Sequence, residues 1–132
     1  MELKQFTDKQ LAERIVDYIE RAMKLKNKIC SYSPLRESRI NDEYIIRSEY
    51  EELKNQIRED ANYVDLKRNK NPNNKLYSEI FSKSIKEAAA YGFKAAVNAK
   101  INQDMSIAVD EAIHYLKKYK SIDDWRSIAS AE

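Results

Sequence analysis

Gly92 is the only glycine in a chain of 132 residues, and just two prolines accompany it. Ordinary chains use roughly 7% glycine and roughly 5% proline. Tight hairpins draw on glycine or asparagine for positive φ, so a sheet of hairpins has almost no turn material here. The alternative is a fold of helices joined by short polar connections. Hydrophobic residues make up 42% of the chain and charged residues 35%. That balance suits amphipathic helices with one buried and one solvated face and differs from a chain too polar to fold. The length suits one modest core, so residues 1–132 are expected to form a single helical-bundle domain.

The first helix is the clearest. Thr7 and Gln10 have capping-box spacing, and Phe6 with Leu11 has that of a hydrophobic staple. Leu11, Ile15, Tyr18, Ala22, Leu25 and Ile29 come at steps of three and four, one stripe of a helix over 6–29. Lys24, Lys26 and Lys28 crowd its end, where cations oppose the negative pole of the helix. The segment CSYSPLRESRIND then interrupts the pattern. Ser33-Pro34 can open a short helical turn, and the stripe does not pass through Arg39 and Asp42, which predicts a break or kink near Asn41. A second helix is expected over 42–68, with Ile46, Tyr50, Leu53, Ile57, Ala61 and Val64 on its apolar face.

NKNPNNK, residues 69–75, reads as a loop, because Asn and Pro favour turns and Asn73 or Asn74 can cap the next helix. This third helix is expected over 75–101. After the polar stretch NQDMS, with Asp104 or Ser106 as cap, a fourth runs to about 119 on a stripe of Met105, Val109, Ala112, Leu116 and Tyr119. Ser121 and Asp124 open a short last helix carrying Trp125 and Ile128. The expected fold is all-α, a compact bundle of four main helices plus a short C-terminal helix.

Glycine inside the third helix costs roughly 1 kcal/mol relative to alanine. On a wheel of 100° per residue, Ser84, Ala88, Gly92, Ala95 and Ala99 fall within about 80° of one another. Tyr77 and Phe81 extend the stripe, while Ile85, Ala89, Phe93 and Ala96 form an adjoining apolar face. A small-residue seam lets a neighbouring backbone approach closely, and dispersion contacts offset the glycine penalty. Close packing is therefore the leading reading of Gly92, ahead of a hinge or a ligand site. The same pattern places the third helix at the centre of the bundle.

The residues offer little to catalysis. His114 is the only histidine. With Glu111 it makes EAIH, the Glu-x-x-His spacing of di-iron bundles, but such sites need two of these motifs and further glutamates. A solvated histidine paired with Asp110 is the expectation. Helical nucleases of the HEPN type place an arginine a few residues before a histidine, and SIAVDEAI, residues 106–113, contains none. One glycine cannot build a phosphate-cradling loop. Cys30, the only cysteine, comes after a lysine-rich helix end that could lower its pKa, yet an ordinary half-buried thiol is the better expectation. Asp42/Glu43 and Asp123/Asp124 sit at helix starts, where the macrodipole accounts for them. The expectation is a chain with no catalytic residue, no metal and no cofactor.

A lone cysteine fits a reducing compartment. The longest apolar run, Ala88 to Phe93, is far short of a membrane span, and MELKQFTDKQ lacks a signal-peptide core. An intracellular, cytoplasmic protein is expected.

Two surface features stand out. Nine tyrosines against three phenylalanines supply rings whose hydroxyls stay wet, a chemistry common at protein interfaces. Tyr44, Tyr63, Tyr91, Tyr115, Tyr119 and Trp125 are the candidate interface residues. The net charge is only +2, but residues 66–100 carry eight cations against Glu79 and Glu87. Lys67, Arg68, Lys70, Lys75, Lys83, Lys86 and Lys94 could track a phosphate backbone. Lysine outnumbers arginine there, so any such contact would not read sequence. The leading expectation is a non-enzymatic binding or assembly protein acting through contacts with a protein partner or with itself. By fold-level analogy, accessory proteins of phages, plasmids and defence systems are of this kind. The alternative is a helical subunit touching nucleic-acid backbone non-specifically, in a small-subunit or coat-like role.

Overall fold

Thr7 opens the first helix, α1 (Asp8–Ser31), with a complete capping box. Its hydroxyl accepts from the Gln10 N–H at 3.2 Å, and the Gln10 side chain accepts from the Thr7 N–H at 2.9 Å. These bonds satisfy donors that a helix start otherwise leaves open. The computed structural model of the chain describes residues 7–33, 35, 37, 39–68, 76–93 and 100–130. Along α1 the expected stripe is buried, joined by Ala12 and Ile19.

The second helix, α2 (Arg39–Arg68), begins three residues before the expected start at 42 and continues unbroken through Asn41, where a break or kink was expected. Its first turn is exposed at Ile40 and Asn41 and needs no apolar stripe. Asp42 in that turn complements the positive pole of the helix. Ile46, Tyr50, Leu53, Ile57 and Ala61 are buried, while the side chain of Val64 lies outside the described residues.

The third helix, α3 (Leu76–Glu87), passes into a π-helical turn, Ala88–Gly92, and stops. It does not run on to 101 as expected. At Phe93 the backbone turns to φ −54°, ψ 75°, and two contacts from α2 hold it there. The Arg58 guanidinium donates to the Phe93 carbonyl at 3.1 Å, supplying a partner that a helix end lacks. The buried Phe93 ring meets Tyr50 edge-on, with centroids 5.3 Å apart. Residues 94–99, including Ala95 and Ala99 of the expected seam, lie outside the described residues.

Helical backbone resumes in a second π-helical turn, Ile101–Met105, and continues as α4 (Ser106–Lys117). It starts earlier than expected because Asp104 reaches back: its carboxylate accepts from the Lys100 N–H at 2.9 Å. The last helix, α5 (Ile122–Ser130), is capped as expected, with Ser121 Oγ accepting from the Asp124 N–H at 3.1 Å.

Among the described residues there are five α-helices and no strand, and they pack on one another as an all-α bundle. The centre belongs to α1, which touches every other α-helix, and not to α3 as expected. Among the described residues α1 buries eight apolar side chains, more than any other helix, so it can seat neighbours on several sides. No helix among the described residues is long and apolar enough to cross a membrane.

Candidate functional site

The seam on α3 positions everything around it. A Cβ on Gly92 would stand 2.7 Å from the Ala112 Cα and 2.8 Å from its Cβ. Nothing larger than glycine fits unless α4 moves away. Ser84 and Ala88 on one side and Ala108 and Ala112 on the other are all buried. The packing reading of the glycine holds, and the helix also ends directly after it.

Tyr91, next to Gly92, points outward as Gly92 points in: it is 54% exposed. The close crossing brings its ring to 5.5 Å from that of Tyr115, tilted 44°. Tyr115 also meets the exposed His114 ring edge-on at 5.0 Å. From this pair the contacts between the two segments run in opposite directions, so they are antiparallel. Glu87 accepts from Lys118 Nζ at 3.2 Å and from the Tyr119 hydroxyl. The Lys83 ammonium stands 5.9 Å from the Tyr119 centroid, and Lys120 stands 5.3 Å from that of Tyr77. Lys118 lies over both Tyr115, at 5.6 Å, and Tyr119, at 5.2 Å. Such cation–ring contacts hold long lysines in place at modest energy.

These contacts set the electrostatics. The Tyr119 hydroxyl, with Lys118 and Lys83, holds the Glu87 carboxyl below the ordinary carboxylate range. Glu87 in turn raises Tyr119 and Lys118 above their usual values. Three of the expected interface residues, Tyr91, Tyr115 and Tyr119, thus share one cationic face with Lys83. Lys118 and Lys120 are the additions. They lie in the run KKYK, 117–120, which was not among the expected cations because lysines there also suit a helix end.

A second face lies at the head of α2. Leu35 is 94% exposed, Tyr44 74%, Ile40 71% and Ile45 45%. Ile40 and Tyr44 are one helical turn apart. Ile45 and the buried Ile46 line a cleft of about 240 Å³ with Tyr32, Lys28, Ser31 and Asp42. Here Tyr44 has apolar company that the tyrosine count alone did not indicate. The signal in the sequence was Ile40 and Ile45, two apolar residues off the buried stripe that starts at Ile46.

Buried charge is the other feature that was not expected from the sequence. Asp60, 4% exposed, takes Arg14 in a two-pronged pair, Nε at 2.5 Å and Nη2 at 2.7 Å, and accepts from the Tyr18 hydroxyl. Burial, then the Asp60 bond, pushes the Tyr18 phenol far up. This ties α1 to α2 with every partner satisfied, the condition for a polar group inside a core.

Trp125, taken as an interface residue, is fully buried: the short α5 packs on the bundle through its largest side chain, with Ile122, Ile128 and Ala129 beside it. Cys30 is exposed, not half-buried, since it sits one step, about 100°, around from the buried Ile29. Asp110 pairs with Lys26 and not with His114. Lys70, Lys75 and Lys94 lie outside the described residues, as do the side chains of Tyr63, Lys67 and Arg68. Lys86 stands half-buried in the last turn of α3. No group of three or more His, Cys, Asp and Glu that could hold a metal stands together among the described residues. Comparison of the chain with protein-family models, curated proteins and solved structures finds no match.

Proposed function

We propose that this protein is a non-enzymatic binding module, and that the face at the head of α2 docks a protein partner. One observation carries the reading: Ile40, Tyr44 and Ile45 are all exposed at the head of α2, with Leu35 exposed just before it in the chain, and Ile45 also lines an open cleft. Exposed large apolar side chains grouped in one region mark interaction sites more often than those scattered singly. The occupant that fits is the apolar face of a partner helix. The partner helix would lie across Ile40, Tyr44 and Ile45, with the cleft lined by Ile45, Ile46, Lys28 and Asp42 at the margin of the contact. Tyrosine supplies contact area at low entropy cost, which suits Tyr44 to the middle of such an interface.

The test compares affinity capture from the native host using the wild type, the Ile40→Asp/Tyr44→Asp double variant and a Tyr91→Ser control. The expected result is a discrete partner held by the wild type and the control and lost from the double variant. Equal capture by all three, or none, contradicts the reading. Both substituted side chains are exposed, so a folding defect is not expected, and circular dichroism checks it.

A further inference from the structure

We propose that the tyrosine–lysine face of α3 and α4 binds single-stranded nucleic acid without sequence preference. Single-strand platforms combine cations that track the backbone with exposed rings on which bases stack. Both halves are present on one surface. Tyr91 is 54% exposed and Tyr119 40%, and the His114 ring is exposed beside Tyr115. Lys83 and Lys118 are exposed, with Lys120 half-exposed at the same end. Lys118 stands between two rings, Tyr115 and Tyr119, so a phosphate bound to it places its nucleotide next to a stacking surface.

The acidic groups of the two helices are Glu79, Glu87, Asp110 and Glu111. Asp110 is taken up by Lys26, and Glu87 pairs with Lys118 and accepts from the Tyr119 hydroxyl. Three lysines, Lys83, Lys118 and Lys120, stand at the tyrosine rings with one carboxylate, Glu87, among them, which leaves cations in excess there. A duplex would satisfy these lysines and leave the rings unused, because its bases are already stacked. An acidic peptide has the same shortcoming, since it brings charge but no flat faces. With lysine and not arginine as the cation, bidentate reading of base edges is missing, and binding is sequence-tolerant.

Fluorescence anisotropy of a short labelled oligothymidylate tests this, with its oligoadenylate duplex and polyglutamate as competing ligands. The expected result is single-strand binding that weakens steeply with salt, the salt slope falling by about 0.7 for each lysine replaced by glutamine at 83, 118 or 120. Tyr91→Ser should weaken binding roughly tenfold while Tyr91→Phe retains it. The Ile40→Asp/Tyr44→Asp variant should bind like the wild type, which separates this inference from the docking face on α2. Absence of binding at low salt overturns the proposal. So does polyglutamate displacing the strand as well as unlabelled oligothymidylate does, the sign of an acidic-protein site. Equal binding by Tyr91→Ser would also overturn it.

Discussion

Gly92 lies against Ala112 so closely that an added methyl would stand 2.7 Å from the Ala112 Cα. The same contact sets the 5.5 Å approach of Tyr91 to Tyr115 one residue away. Gly92→Ala should therefore cost about 1–3 kcal/mol by overpacking, against a helix-propensity gain of roughly 1 kcal/mol. Urea denaturation measures the net loss. Ala112→Gly in the same chain should recover only part of it, because the backbone Cα of residue 112 still blocks the new methyl.

The Arg14–Asp60–Tyr18 cluster fixes α1 on α2. Asp60→Ala removes the buried carboxylate that takes Arg14 in a two-pronged pair and also accepts from Tyr18, and a loss of about 3 kcal/mol is expected. Tyr18→Phe removes one hydroxyl while Arg14 still serves the carboxylate, so its cost should be about 1 kcal/mol. Equal losses from the two variants would show that the phenol, not the ion pair, organises the site.

Alkaline stability depends on two buried phenols. Burial, with the Asp60 bond, raises Tyr18 well above its ordinary value, and burial together with Glu51 pushes Tyr50 up to about 12. The folded state holds these protons more tightly than the unfolded state does. Their stabilisation is complete below pH ~10, the ordinary tyrosine value, and is lost as pH rises beyond it. Each phenol should contribute a decline of about 1.4 kcal/mol per pH unit there. The Tyr50 share should end near pH 12, where its folded value lies. Denaturation curves taken at rising pH, with Tyr18→Phe showing the shallower slope, check this.

Arg58 closes the end of α3 by bonding the Phe93 carbonyl. Arg58→Met keeps most of the stem and removes the donor, which should cost about 1 kcal/mol. Amide exchange around Tyr91 and Gly92 should quicken more than exchange in the middle of α1. Uniform quickening would mean that the bond contributes to the whole bundle and not to this helix end.

Much of the fold was legible because its signals are local. The Thr7–Gln10 capping box, the α1 and α2 stripes and the Ser121 cap each depend on residues a few positions apart. Several of the failures were decided by a distant partner. Arg58 and Tyr50 end α3 at Phe93, where helical periodicity alone continues onward. Trp125 is buried because α1 offers it a seat. Asp60 is on the buried side of α2 because Arg14 and Tyr18 meet it there. Of the two faces, Tyr91, Tyr115 and Tyr119 could be picked out as residues, but their union with Lys118 depends on the antiparallel crossing at Gly92. The Leu35–Ile45 face was overlooked because the tyrosine count singles out Tyr44 alone.

The central claim is that protein covers the head of α2 when the molecule is at work. A photo-reactive phenylalanine at position 44, introduced in the native host, measures this most directly, with one at the exposed Glu13 as control. The account predicts a discrete adduct with another polypeptide from position 44 that disappears when Ile45 becomes aspartate, and none from position 13. No adduct from 44, or equal adducts from both positions, would contradict it.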